Sequence, residues 1–171
     1  IRPSAPVLAP ALAREIPIWG ELELAWRLRR GQSDAPWMCV TGTNGKTTVT
    51  LMLESMLTAS GARAVSAGNI GVPLVDVIMH DDVEVIAVEV GAPQLPFVAS
   101  MSPYSAVCLN IADDHIDHFG SLEEYVNSKE RIYRHTRHSA IYSVDDDVTR
   151  GMVERADVIA GCRAIGFTLG V

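Results

Sequence analysis

The nonapeptide Val40-Thr41-Gly42-Thr43-Asn44-Gly45-Lys46-Thr47-Thr48 constrains this chain more than any other stretch. It follows the apolar run Trp37-Met38-Cys39-Val40. It also opens a segment that carries Val49, Met52, Leu53, Met56 and Leu57 at helical spacing and closes at Gly61. A strand that ends in a glycine-rich turn and feeds straight into a helix N-terminus is built to hold an anion. Its backbone N–H groups converge on one spot, and the helix dipole adds partial positive charge there. Gly42, Thr43, Asn44 and Gly45 make the turn, Lys46 supplies a mobile charge for outer phosphates, and the Thr47 hydroxyl suits a magnesium ion. The spacing is a shortened P-loop, G-x-x-G-K-T-T, because Val40 stands five positions before Gly45.

From Trp37 onward short apolar runs alternate with helical periods, which predicts an α/β domain: a mostly parallel sheet flanked by helices. Strands are expected near 62–67, 84–90, 106–111, 139–144, 156–160 and 163–168, and further helices near 73–79, 121–135 and 147–155. Ser121 and Glu124 have the spacing of a capping box. Ahead of this pattern, Pro3, Pro6, Pro10 and Pro17 rule out a long helix over 1–19. A short helix near 9–14, a strand near 16–19, a helix over 21–30 capped by Gly31 and a polar linker at 32–36 are the expectation there. Residues 1–35 read as the tail and linker of something that packs elsewhere, and 36–171 as one α/β domain, incomplete within 171 residues.

No apolar run reaches the roughly 20 residues of a membrane helix. A formal charge of −7 argues against a broad nucleic-acid surface, although a P-loop can bind nucleotides through local dipoles in an acidic protein. Cys39, Cys108 and Cys162 lie in or beside apolar runs and read as free thiols of a reducing compartment, consistent with the cytoplasm.

In open α/β sheets ligands gather at the carboxyl ends of the strands. The notable side chains fall at that edge: Asn69 in a glycine-flanked turn, Glu89 as the lone charge ending Val85-Ile86-Ala87-Val88, and Asp113, Asp114 and His115 after an apolar run. Glu89 is placed as an acid that helps hold magnesium. Lys129 interrupts the helical stripe Leu122, Tyr125, Val126, Ile132, Tyr133 and so points where a core should be. An ammonium there either snorkels to water or is held among carboxylates, phosphates or metal. A neutral amine at that position can also take up carbon dioxide as a metal-ligating carbamate.

Together these residues resemble the ATP-dependent Mur ligase family of peptidoglycan synthesis. The resemblance rests on 41–48, on Leu109-Asn110-Ile111-Ala112-Asp113-Asp114-His115-Ile116-Asp117-His118-Phe119-Gly120-Ser121, and on Asn127-Ser128-Lys129-Glu130-Arg131-Ile132-Tyr133. Gly68-Asn69-Ile70-Gly71-Val72-Pro73 and Pro93-Gln94-Leu95 are most similar to the members that add D-glutamate. The resemblance implies that Lys46, Thr47 and Thr48 bind ATP phosphates and a first magnesium ion, with Glu89 near the metal. It implies that His115 and a carbamylated Lys129 hold a second magnesium ion, and that Asn69 and Gln94 contact UDP-N-acetylmuramoyl-L-alanine. In the implied reaction the substrate carboxylate attacks the γ-phosphate, and the amine of D-glutamate displaces phosphate from the acyl phosphate. A cytoplasmic monomer that binds neither nucleic acid nor membrane is implied as well.

Two departures stand out. The family's Glu-x-Ser-Ser-Phe-Gln-Leu reads Glu89-Val90-Gly91-Ala92-Pro93-Gln94-Leu95 here, and Arg2-Pro3-Ser4-Ala5-Pro6 lacks the usual Ser-Pro-Gly. The family has three domains, so residues 1–171 by themselves are expected to turn nothing over. The competing readings are a MgATP-binding module or divergent homologue without ligase turnover, and a ligase similar to folylpolyglutamate synthetase. A switch GTPase is disfavoured by the lack of an Asn-Lys-x-Asp motif.

Overall fold

The computed structural model describes residues 2–29, 35–80, 82–112, 119–168 and 170. Six strands form one sheet: β1 (Trp37–Thr41), β2 (Ala64–Gly68), β3 (Val85–Glu89), β4 (Ser105–Cys108), β5 (Ser139–Ser143) and β6 (Arg163–Phe167), in the order β2-β3-β1-β4-β5-β6. Every pair is parallel, with Val40 opposite Glu89 on one side and opposite Val107 on the other. Among the described residues a four-residue helix at Ala9–Leu12, within the short helix expected near 9–14, precedes the longer helices α1 (Glu21–Leu28), α2 (Lys46–Ala59), α3 (Leu74–His80), α4 (Leu122–Glu130) and α5 (Asp147–Arg155).

The strand order dictates the layers. The step from β1 to β2 runs one way along the sheet and all later steps run the other way. Right-handed crossovers therefore put α2 on one face and α3, α4 and α5 on the opposite one. β3, buried at every position, is the continuous apolar run expected of a strand covered on both faces. Leu22 and Ala25 of α1 join Trp37, Val77, Ile86, Leu95 and Cys108 in one buried cluster. Helix α1 is tied there by its carboxylates: Glu21 accepts from the Leu74 N–H at 2.6 Å, and Glu23 accepts from the N–H groups of Ala99 and Ser100 at 2.8 Å each. The opening residues were expected to pack elsewhere; α1 instead packs onto this domain.

Other expectations change in the same physical terms. No strand forms at 16–19, where Pro17 lacks a donor and the extended segment has no ladder partner. Nor does one form at 156–160. That segment is pinned by backbone bonds from His135 to Asp157 and from Ile159 to Thr136, and the edge position goes to β6. The helix expected over 121–135 ends at Glu130 and tightens into a 3₁₀ turn at Arg131–Tyr133. Ser121 caps it by accepting from the Glu124 N–H at 3.1 Å. On α2 the fully buried residue is Thr50, while Met52 and Met56 of the expected core stripe are 56% and 60% exposed. Since α2 is the lone helix on its face among the described residues, its methionines overhang an open apolar groove shared with Val107 and Ile141.

Candidate functional site

Gly45 adopts φ +80°, the left-handed turn that a glycine makes without strain, and caps the N-terminus of α2. The loop before it is braced from β4. Asn44 and Asn110 exchange two hydrogen bonds, Asn44 N–H to Oδ1 at 2.9 Å and Asn110 Nδ2 to the Asn44 carbonyl at 3.2 Å. The Thr43 N–H donates to the Asn110 carbonyl at 3.0 Å. The Thr43 hydroxyl lies 3.1 Å from the Tyr125 hydroxyl and accepts from the Ala112 N–H at 3.0 Å. Lys46 curls back onto its own loop, donating to the carbonyls of Gly42 at 3.0 Å and Thr43 at 2.9 Å. These are weak neutral acceptors for an ammonium, which a phosphate displaces readily.

Glu89 ends β3 only 2% exposed. Its two oxygens are divided between neighbours: Thr47 donates its hydroxyl to Oε2 at 2.8 Å and Asn69 donates Nδ2 to Oε1 at 3.0 Å. The Asn69 N–H also donates to the Glu89 carbonyl at 2.9 Å, so β2 and β3 end locked together. The carboxylate and hydroxyl at this corner are the hard oxygen donors that magnesium takes, and they adjoin the phosphate loop, so the residues present fit one such ion.

The interrupted stripe on α4 does carry its lysine inward: Lys129 is 1% exposed. Its ammonium donates to the Gly42 carbonyl at 2.7 Å, reaches the Thr41 hydroxyl at 3.5 Å, and sits 4.8 Å from the Tyr125 ring centroid. Burial excludes the snorkelling alternative. His115, Asp113 and Asp114 lie outside the described residues, and among the described residues no cluster of three or more His, Cys, Asp or Glu side chains is placed for a metal.

Gln94 accepts the Gly91 N–H at 2.8 Å in the 3₁₀ turn Ala92–Phe97. Gly91 fits between two amides, since a Cβ there would stand 3.1 Å from Asn69 Oδ1 and 3.3 Å from Gln94 Oε1. The structure thus brings Thr47, Glu89, Asn69, Gly91 and Gln94 to one corner and Lys46 and Lys129 to one carbonyl. Thr48 is exposed on the first turn of α2. Burial pushes the Cys108 thiol up to about 12, so it stays protonated at neutral pH.

Residues that sequence reasoning passed over complete the frame. Tyr125 looked like an ordinary member of an apolar stripe, yet its hydroxyl meets the loop. Asp146 caps α5 through Oδ1 and accepts from the Ile111 N–H at 2.9 Å, which ties the ends of β4 and β5. The run Asp145-Asp146-Asp147 after an apolar strand was the available signal.

The family described as the Mur ligase middle domain matches residues 40–169. A UDP-N-acetylmuramoylalanine--D-glutamate ligase from Streptomyces avermitilis is 49% identical over 170 residues, covering 99% of this chain and 36% of the relative. This chain therefore spans about a third of the length of that relative. The MurF ligase from Thermotoga maritima, solved with ADP, superposes with a TM-score of 0.67 at 23% identity over 86% of this chain and 35% of that one. E. coli FolC, solved with DHPP and ADP, gives 0.60 at 18% identity over 100% and 53%. At such identities the two structures show a shared fold.

Proposed function

The chain belongs to the Mur ligase family, and from that membership we propose that the whole protein is an ATP-dependent ligase that adds D-glutamate to UDP-N-acetylmuramoyl-L-alanine. The observation that carries this reading is the corner where Thr47 and Asn69 share the carboxylate of Glu89 beside the phosphate loop. It sets a phosphate-binding helix terminus, an oxygen-donor pair and a substrate-facing amide side by side. The likeness to the D-glutamate ligase of Streptomyces avermitilis supports the choice of amino acid.

In this reading the N–H groups of 45–47, at the N-terminus of α2, and the Lys46 ammonium receive the ATP phosphates, while those of Thr43 and Asn44 brace the loop on Asn110. Thr47 and Glu89 hold one magnesium ion; His115 and Lys129, as its carbamate, hold a second. Bound there, magnesium neutralises the charge that builds up as two anions approach. Glu89 fixes Asn69 through Nδ2 and leaves Oδ1 to accept from the UDP-sugar substrate, while Gln94, fixed through Oε1, presents its Nε2 donors. The substrate carboxylate attacks the γ-phosphate in line, and the D-glutamate amine then displaces phosphate from the acyl phosphate. The division into a substrate-domain tail before about residue 35 and a central nucleotide domain after it is part of the proposal, with α1 docked on the latter. So are a cytoplasmic monomer and the lack of turnover by residues 1–171 alone. No helix among the described residues is long and apolar enough to cross a membrane.

The test is a phosphate-release screen on the full-length protein with MgATP and UDP-N-acetylmuramoyl-L-alanine. D-glutamate is expected to be consumed in preference to L-glutamate, L-lysine and diaminopimelate. A preference for another amino acid, or for a folate acceptor, refutes the assignment, and nucleotide binding without any turnover leaves only a binding module.

A further inference from the structure

Asn69 and Gln94 stand on two separate loops, and helix α1 holds both loops from behind. The loop 68–73, which carries Asn69, is closed on itself. The Gly68 N–H donates to the Val72 carbonyl at 3.4 Å, so a shift at its far end is carried back to its start. That far end is fastened to α1, because the Leu74 N–H donates to the carboxylate of Glu21 at 2.6 Å. The 3₁₀ turn Ala92–Phe97, which carries Gln94, is likewise continuous. Gln94 donates its N–H to the Gly91 carbonyl at 3.0 Å, and Val98 donates to Leu95 at 3.2 Å. Its exit is fastened to Glu23, which accepts the N–H groups of Ala99 and Ser100 at 2.8 Å each and the Ser100 hydroxyl at 2.6 Å. Gly20, the cap of α1, packs on the same turn, since a Cβ there would stand 3.2 Å from Phe97 Cβ.

Both carboxylates lie in the first turn of α1, where an acid ordinarily serves the dipole of its own helix. Here they serve backbone donors of two other elements. Leu74 is fully buried, and its N–H is one that the start of α3 cannot satisfy internally. The helix that carries the two acids is itself firmly seated. Leu22 and Ala25 are buried, and Trp26 meets Trp37 edge-on at 5.0 Å between ring centroids. Two positions apart on a seated helix, Glu21 and Glu23 fix the separation of the two loops.

We propose that Glu21 and Glu23 are positioning residues for the ligase reaction: they set the spacing of Asn69 and Gln94 through the backbones that carry these amides. This role rests on the substrate-facing reading of the two amides given above and adds what keeps them in register. Glu89 orients the Asn69 side chain, and α1 places its backbone.

The experiment is a pair of double-mutant cycles on the full-length protein, read as the KM for UDP-N-acetylmuramoyl-L-alanine at saturating MgATP and D-glutamate. Glu21→Ala should raise that KM about fivefold or more and leave the KM for ATP within about twofold. Glu21→Gln keeps an acceptor oxygen for Leu74 and should recover most of the loss. In an Asn69→Ala background, Glu21→Ala should add less than about twofold, because the amide through which it acts is gone. Glu23→Ala in a Gln94→Ala background should behave alike. If Glu23→Ala does not fold, the Glu21 cycle, on a side chain at the margin of the core, decides alone. Ala25→Gly loosens α1 without touching either carboxylate, and its KM should stay at the wild-type value. An unchanged KM in Glu21→Ala, full additivity in the Glu21 cycle, or an equal rise in Ala25→Gly overturns the proposal. If Asn69→Ala and Gln94→Ala themselves leave the KM unchanged, the substrate-facing reading fails and the positioning role falls with it.

Discussion

The ammonium of Lys129, on α4, donates to the carbonyl oxygen of Gly42 at 2.7 Å, and the same oxygen accepts from Lys46 at 3.0 Å. In its unmodified form, before any carbamate is made, Lys129 thus holds the phosphate loop as a buried cation that shares one carbonyl with the loop's own lysine. Lys129→Met keeps the length of the side chain and leaves the carbonyl with one donor. The expected stability loss is below about 2 kcal/mol, because a neutral chain of similar shape replaces a buried charge. Lys129→Glu sets an anion against that carbonyl and should cost roughly 3–5 kcal/mol. Urea unfolding of the two variants checks the order, and equal losses would show that the charge of the residue is irrelevant to the fold.

Glu89 serves two donors at once, so neutralising it weakens both. In Glu89→Gln the amide retains one acceptor oxygen and presents a donor to either Thr47 or Asn69. Wild-type nucleotide affinity is expected to rise with magnesium, and in the variant most of that rise should vanish, about tenfold or more, while magnesium-free binding changes little. Titrations with and without the metal measure it. A variant that keeps its full magnesium response places the ion elsewhere.

The carboxylate of Glu23 gives the fold an acid-sensitive fastening. Burial raises its pKa, but the hydroxyl of Ser100, the N–H groups of Ser100 and Ala99, and Arg27 at 2.7 Å outweigh that and hold it at about 2. A depressed folded-state pKa adds stability that is complete above the unfolded value, 4.5, and is lost as pH falls toward 2. The amount is about 2–3 kcal/mol. Stability measured from pH 6 to 2.5 should fall over that window in the wild type, and Glu23→Gln should flatten the corresponding part of the curve. Parallel curves for the two proteins would rule Glu23 out as the cause.

What was legible in the chain was what periodicity and chain order encode. The parallel sheet, the loop between β1 and α2, the inward lysine and the acid ending β3 each break or complete a local pattern. Three features had no local signature. The hydroxyl of Tyr125 reaches Thr43 across 82 positions, and nothing in a stripe of apolar residues distinguishes a tyrosine that packs from one that also bonds. Helix α1 reads as a detached amphipathic segment, because the backbone donors that Glu21 and Glu23 satisfy lie 53 and 76 positions away. The exposure of Met52 and Met56 follows from crossover handedness, which assigns one helix to that face, and no window on α2 itself contains that information.

The anchoring of Glu89 depends on a glycine two strands from the loop. Gly68 has φ +107°, and a Cβ there would collide with the Glu89 carbonyl, the group that accepts the Asn69 N–H at 2.9 Å. Gly68→Ala therefore carries both backbone strain and a steric push on the oxygen-donor corner. Gly61 supplies the control, with φ +95° and nothing within 4 Å of an added Cβ, so Gly61→Ala carries strain alone. The control should cost about 1–2 kcal/mol and Gly68→Ala at least about 1 kcal/mol more. Only Gly68→Ala should also weaken magnesium-dependent nucleotide binding, because β2 cannot yield there without moving Asn69 and the carboxylate it holds. Paired unfolding and titration experiments separate the two effects. Equal stability losses with unchanged binding would mean that the ends of β2 and β3 relax freely, and that Glu89 is positioned from the Thr47 side alone.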